Sequence, residues 1–195
     1  MIRRTKTAPI VHIPHPALRE VAAVVTEVDS KLLELSVLLT NSLKATRNPR
    51  GVGLAAPQIA VGKRMFAIQL EGNIKCYINP KIVDQSTDKI LGPDGGEPRL
   101  EGCLSIPKIY GSVPRWEWID LQYDKIIDGK LTTVKEHLND FPARVAQHEL
   151  DHLNGILFID YSLTFGLPIY SENPETEDLE LLAPEMLIAL GAKQL

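Results

Sequence analysis

The central motif of this chain is QHELDHLNG, at residues 147–155. Small or apolar residues recur three and four positions apart around it, which is the spacing of one buried helix face. These residues are Ala143, Ala146, Leu150 and Leu153. Gly155 follows them, and glycine commonly ends a helix at this position. The motif therefore predicts an α-helix from about residue 141 to residue 154.

Two histidines of this helix indicate a metal site. His148 and His152 are four residues apart, so they lie one above the other on the same helix face. Two imidazoles on one face, with the Glu149 carboxylate beside the first, can bind a divalent metal ion and supply a proton acceptor. A surface helix with two solvated histidines is the alternative. The metal site is favoured because two of the five histidines stand here with a glutamate in register.

A catalytic site of this kind needs a third protein ligand. No histidine follows His152, and the nearest downstream carboxylates are Asp160 and those of an acidic tail. Cys103 lies among glycine and turn-forming residues, and a thiolate is a strong ligand for a divalent metal. We predict Cys103 as the third ligand, with a buried structural cysteine as the alternative. Cys76, among apolar neighbours, is predicted to be a buried core residue.

The other segments predict an α+β fold, with short antiparallel sheets packed around the metal-binding helix. An N-terminal amphipathic helix is expected from Asp29-Ser30 to about Thr46. Its inner stripe consists of Leu32, Leu35, Leu39 and Leu43. A short C-terminal helix is expected from Pro184 to about Leu190, because Gly191 follows as a stop signal.

Strand-like segments occupy the middle of the chain, at residues 64–70, 75–78 and 81–83. Alternating residues from 110 to 134 predict antiparallel strands with a hairpin turn at Asp128-Gly129. Two polar segments are predicted as loops. They are residues 84–98, rich in glycine and proline, and the acidic segment 171–180, expected to be solvated.

Composition limits the class of protein. A chain of 195 residues is expected to form one domain, residues 1–195, and 44% hydrophobic with 24% charged residues is typical of a soluble globular protein. A net charge of −4 argues against nucleic-acid binding as the main activity. The basic start, residues 1–6, leads into no apolar segment of signal or membrane-spanning length. We therefore expect a cytoplasmic protein without membrane association, and an organellar location stays open.

The segment GVGLAAPQ, at residues 51–58, is rich in small residues. It lacks the glycine spacing and the lysine of a phosphate-binding loop. Its glycines indicate instead that the backbone closely approaches a packed element or a ligand.

Three segments together resemble the signature motifs of peptide deformylases. They are GVGLAAPQ at residues 51–58, EGCLSIP at 101–107 and QHELDHLNG at 147–155, in the order found in that family. The segment IPHPALR, at residues 13–19, is also similar to the family's N-terminal region. The resemblance implies an enzyme that removes the formyl group from N-terminal formyl-methionine of new polypeptides.

The resemblance also implies a metal cofactor. Cys103, His148 and His152 would hold a ferrous ion in the cell, with Zn²⁺, Ni²⁺ or Co²⁺ as substitutes in purified protein. A metal-bound water would attack the formyl carbon, with Glu149 as general base and then general acid.

The developing oxyanion needs fixed hydrogen-bond donors. By resemblance these are the Gln58 side-chain amide and the Leu104 backbone N–H.

The family binds its peptide as an extended strand, which implies backbone hydrogen bonds at Gly53 and near Gly102. The methionine side chain needs an apolar pocket. We expect that pocket to contain Val52, Phe141, the stem of Arg144, and Val145. Glu101 is expected behind the metal site, paired with Arg115, and a plain surface role is its alternative.

The expected partners are nascent formyl-Met polypeptides. The resemblance leaves open a transient association with ribosomes, and we expect neither membrane contact nor sequence-specific nucleic-acid binding. Three alternative functions remain at this point: a zinc endopeptidase, a thiol hydrolase with Cys103 as nucleophile, and a metal-stabilised binding module without turnover.

Overall fold

A computed structural model describes residues 6–93 and 96–195, so most of the basic N-terminal segment lies outside the described residues. The described chain has eleven strands: β1 (Gly53–Ala55), β2 (Met65–Leu70), β3 (Asn73–Gln85), β4 (Lys89–Ile90), β5 (Leu100–Cys103), β6 (Ile106–Ser112), β7 (Arg115–Trp116), β8 (Trp118–Ile127), β9 (Lys130–Asn139), β10 (Ile169–Glu172) and β11 (Leu179–Leu181). They form a five-stranded sheet, β1-β2-β3-β8-β9, a four-stranded sheet, β11-β10-β6-β5, and the pair β4-β7. All neighbouring strands in these sheets are antiparallel.

Four α-helices accompany the strands in the described residues: α1 (Ser30–Ala45), α2 (Asp140–Leu153), α3 (Phe158–Phe165) and α4 (Glu185–Ala189). The α+β prediction is therefore confirmed, as are the N-terminal, metal-binding and C-terminal helices. The short apolar segment after α2 carried no helix prediction, yet it forms α3. Asp160 Oδ2 accepts a hydrogen bond from the Leu157 N–H and so caps this helix. No helix in the described part of the chain is long and apolar enough to cross a bilayer.

The five-stranded sheet lies between α1 and α2. Because side chains alternate along a strand, Met65 and Ala67 of β2 pack with α1, whereas Phe66 and Ile68 pack with α2. The predicted leucine stripe of α1 is buried against this sheet, as expected. Burial on both faces explains why β2 reads as a continuous apolar run rather than an alternating one.

Three predictions about local structure are wrong. Residues 75–78 and 81–83 belong to one strand, β3, because Asn79 and Pro80 shift its register without ending it. The segment 84–98 is not wholly a loop, since it contains the end of β3 and also β4, which pairs with β7; residues 94 and 95 lie outside the described residues. The acidic segment 171–180 is solvated but belongs to a hairpin, in which β10 pairs with β11 and extends the second sheet beside β6.

Cys76 is half-buried rather than fully buried, which corrects its assignment to the core interior. It lies on β3 at the edge of the cluster under α1. Its Sγ is 3.5 Å from Thr40 Oγ1, and burial raises the pKa of this thiol.

Candidate metal centre and substrate groove

Three ligand side chains meet beside α2. One ligand atom from each of Cys103, His148 and His152 lies within 4.8 Å of the others. The Cys103 Sγ is 3.2 Å from Nε2 of His152, and the two imidazole centroids are 5.0 Å apart. The histidines come from successive turns of one helix, whereas the thiol comes from the end of β5.

The chemistry of these donors fits a divalent transition-metal ion, because thiolate and imidazole together favour iron, zinc and related metals. The Nδ1 of His148 is 3.0 Å from Glu101 Oε2, which orients the ring so that its other nitrogen is available as a ligand. His152 turns its Nε2 towards Cys103, and its buried Nδ1 has no hydrogen-bond partner among the described residues.

Glu101 is held in a buried ionic network behind the ligands. Arg115 donates two hydrogen bonds of 2.9 Å to its carboxylate, and Arg144 donates another of 2.9 Å. Burial alone would raise the pKa of Glu101, but the Arg115 guanidinium and the bond to His148 hold it well below its usual range. The predicted pairing with Arg115 is present, and the surface alternative for Glu101 is wrong.

Glu149 lies within the same centre and is 3% exposed. Its Oε2 has no hydrogen-bond partner among the described residues. Burial raises the pKa of Glu149 to about 7. A Cβ added at Gly53 would lie 2.2 Å from Glu149 Oε1, so this carboxyl has its space only because residue 53 is glycine.

Gln58 is buried with its amide aimed at the centre. Its Oε1 accepts a hydrogen bond from the Ala55 N–H at 2.8 Å, which fixes the amide orientation. Its Nε2 is 3.2 Å from Ser105 Oγ and 3.6 Å from Cys103 Sγ. Leu104 follows Cys103 directly, in the turn between β5 and β6.

A groove of about 250 Å³ opens above these residues. Edge strands of the two larger sheets, β1 and β5, contribute residues to its walls. All six residues predicted to bind substrate line it: Val52, Gly53, Gly102, Phe141, Arg144 and Val145. The Arg144 guanidinium is tied down by Glu101 and by backbone carbonyls of Ile90, Leu91 and Val113.

Sequence reasoning missed three supporting residues. Ser105 contacts Gln58, Asp151 accepts a 2.5 Å bond from Arg115, and Gln147 bonds both the N–H and the carbonyl of Trp116. All three lie inside the motifs quoted above, and those motifs were the signal in the sequence that could have pointed to them. Their partners could not be inferred, because each contact joins segments distant in sequence.

Comparison with known proteins agrees with this geometry. The family model described as polypeptide deformylase matches residues 7–164. The chain belongs to the peptide deformylase family. It is 38% identical to peptide deformylase 2 of Bacillus subtilis over 193 residues, covering 90% of this chain and 96% of that protein. It is 40% identical to the peptide deformylase of Desulforudis audaxviator over 157 residues, which cover 80% of this chain and 93% of that protein.

Solved deformylase structures share the fold. The Synechococcus elongatus enzyme in complex with actinonin has a TM-score of 0.70 and 30% identity, and the match covers 95% of this chain and 87% of that one. The Met-Ala-Ser-bound class I type b enzyme of Acinetobacter baumannii has a TM-score of 0.69 and 31% identity. This match covers 80% of our chain and 99% of that one.

The activity follows from this membership. The deformylase is a metal-dependent hydrolase that removes the N-formyl group from nascent peptides. The endopeptidase, thiol-hydrolase and binding-module alternatives are accordingly set aside.

Proposed function

We propose that formyl-peptide hydrolysis takes place on a cation held by Cys103, His148 and His152, with Glu149 transferring the proton. The observation that carries this proposal is the meeting of the three ligand atoms within 4.8 Å of one another beside a buried carboxyl. A buried carboxyl oxygen without a hydrogen-bond partner among the described residues is costly, so the Glu149 carboxyl supports a functional role.

A cation bound there would activate a water molecule and polarise the formyl oxygen. Glu149 would take the proton from that water and deliver it to the leaving amine as the C–N bond breaks. The Gln58 Nε2 and the Leu104 N–H would donate hydrogen bonds to the developing oxyanion. Support for the Gln58 role comes from its fixed orientation, because a donor already held in place requires no reorganisation during the reaction.

We propose Fe²⁺ as the metal in the cell, with Zn²⁺, Ni²⁺ or Co²⁺ able to replace it in purified protein. Thiolate with zinc favours four-coordinate geometry, whereas the reaction benefits from a fifth position. The deciding experiment measures formate release from formyl-Met-Ala-Ser by anaerobically purified protein, with metal analysis of the same sample. Stoichiometric iron with faster release than the zinc-loaded protein supports the proposal, and equal rates for the iron-loaded and zinc-loaded protein would contradict it.

The peptide is proposed to lie extended between β1 and β5, bonded to the backbone at Gly53 and Gly102. Edge strands offer unpaired backbone groups to such a ligand. The methionine side chain would enter the apolar part of the groove at Val52, Phe141 and Val145. The Acinetobacter relative is described as bound to Met-Ala-Ser, which supports a ligand that begins with methionine.

We propose cytoplasmic action on nascent formyl-Met chains, with at most transient association with ribosomes. The formyl group is removed once from each chain, so brief contact suffices. Sedimentation of the protein with ribosomes that carry nascent chains tests this. Retention on empty ribosomes through high salt would contradict a transient contact.

A further inference from the structure

The open end of the substrate groove is positively charged, although the chain as a whole has a net charge of −4. Arg50, Arg99 and Lys108 line it, and none of them was needed to explain the chemistry. The carboxylates among the groove-lining residues, Glu101 and Glu149, are both buried deep at the metal centre. A peptide leaving the centre therefore passes from a neutral pocket to a cationic end.

The three cations differ in how far neighbouring acids already neutralise them. Within residues 6–93 and 96–195, no carboxylate lies within 4.0 Å of the exposed Arg50. Arg99 is 3.2 Å from Asp140, a pair whose carboxylate is 61% exposed and thus weak. Lys108 is paired at 3.1 Å with Glu172, whose carboxylate is 24% exposed and is also held by a hydrogen bond from the Tyr110 hydroxyl. Arg50 and Arg99 are consequently the charges available to a ligand.

The positions of these arginines along the chain indicate which part of a bound substrate they would reach. Arg50 precedes Gly53, which touches Glu149, by three residues, and Arg99 precedes the ligand Cys103 by four. A chain spans at most about 3.3–3.6 Å per residue, so the backbone of Arg50 lies at most about 11 Å from Gly53, and that of Arg99 at most about 14 Å from Cys103. An extended peptide with its formyl group at the metal places its third or fourth residue at that distance.

We propose that Arg50 and Arg99 select formyl-Met peptides that carry Asp or Glu at the third or fourth position. The preference rests on the proposed peptide path between β1 and β5. Arg99 is also held over the Phe141 ring, with its guanidinium carbon 5.4 Å from the ring centroid, which limits its motion. Arg50, just before β1, supplies a charge without a carboxylate partner among the described residues, and Arg99, just before β5, supplies a positioned one.

The test compares kcat/KM for formyl-Met-Ala-Xaa-Ala-Ser and formyl-Met-Ala-Ala-Xaa-Ser with Glu, Gln or Lys at Xaa. Glu should exceed isosteric Gln by about two- to fivefold in at least one series, and Lys should fall below Gln, as for exposed ion pairs. The difference should appear in KM, because the charge is remote from the reacting bond. It should disappear near 1 M salt, where the screening length is about 3 Å.

A charge-reversed variant tests whether Arg50 is the source of the Glu preference. Arg50→Glu should abolish or reverse the Glu preference, measured within the variant as the ratio of kcat/KM for the Glu peptide to kcat/KM for the matching Gln peptide. Lys31→Glu makes the same charge change at the opposite end of α1 and should retain the preference. Equal kcat/KM for Glu and Gln in the parent enzyme, or a full preference in Arg50→Glu, would overturn the proposal. Turnover of the neutral Gln peptides tests the proposed catalytic site separately.

Discussion

Glu149 is the side chain proposed to transfer the proton. Glu149→Gln keeps the shape of the side chain and removes its basicity, so we expect kcat for formate release to fall about 10²- to 10⁴-fold. Metal content should stay stoichiometric, because the three ligand side chains are unchanged. Measurement of kcat and metal on one preparation checks this. A variant that retains more than a tenth of the parent rate would show that another group is the base.

Cys103 is the proposed ligand that comes from outside α2. Cys103→Ala removes the thiolate and leaves two imidazoles, so we expect loss of both bound metal and activity. Cys76→Ala is the matched control, since it removes the other thiol from a site beside α1, and it should keep both. Stoichiometric metal in the Cys103 variant would remove this residue from the ligand set.

Cys76 provides a pH-dependent prediction away from the metal. Burial raises the pKa of its thiol, so the unreactive protonated form persists to higher pH than in an ordinary cysteine. In the folded protein, alkylation of Cys76 at pH 8 should be slow and should accelerate only as pH rises further. Mass spectrometry of the labelled peptide measures the rate, with urea-unfolded protein as the control. Equal rates in folded and unfolded protein would contradict the raised pKa.

At the scale of elements, the N-terminus of α1 is capped by a side chain. Asp29 Oδ1 accepts a 2.8 Å hydrogen bond from the Leu32 N–H, which satisfies one of the free donors of the first turn. Asp29→Ala should lower the free energy of unfolding by about 0.5–2 kcal/mol, as measured by urea denaturation. Asp29→Asn keeps the acceptor and should cost much less. An equal loss in both variants would point to the charge rather than the cap.

The elements around α2 differ in how readily sequence reveals them. Periodicity and caps were sufficient for α1 and α2, because each helix buries one regular face. The helix α3 was missed because its eight residues are too few to show a period. The hairpin β10-β11 was missed because its strands are short and acidic, and pairing of β10 with β6 stabilises it.

At the scale of the molecule, the proposed metal would add a link between two parts that packing and the bonds of Glu101 to His148 and Arg144 already join. Cys103 belongs to the four-stranded sheet, whereas both histidines belong to the helix packed on the five-stranded sheet. Chelation should therefore lower the melting temperature and abolish formate release, and anaerobic Fe²⁺ should restore both. A ligand at 100 times its Kd contributes about 2.7 kcal/mol. Cys103→Ala is the control, and an equal chelator effect in it would show that the stabilising metal binds elsewhere.

The sequence alone determined the fold class, the two main helices, the family and the three candidate metal ligands, whose ligand atoms the structure brings within 4.8 Å of one another. The helices follow from the local spacing of apolar residues. The family and the candidate ligands follow from short motifs that can be recognised without knowing the fold. One domain over residues 1–195 stays a prediction.

Only the tertiary structure decided which distant segments meet. Gly53 lies against Glu149, Ser105 contacts Gln58, and Arg115 lies between Glu101 and Asp151. Arg50 and Arg99 likewise line one groove only because two separate edge strands border it. Spacing along a chain determines which residues share a helix face or a strand, but contacts between elements depend on how the sheets and helices pack.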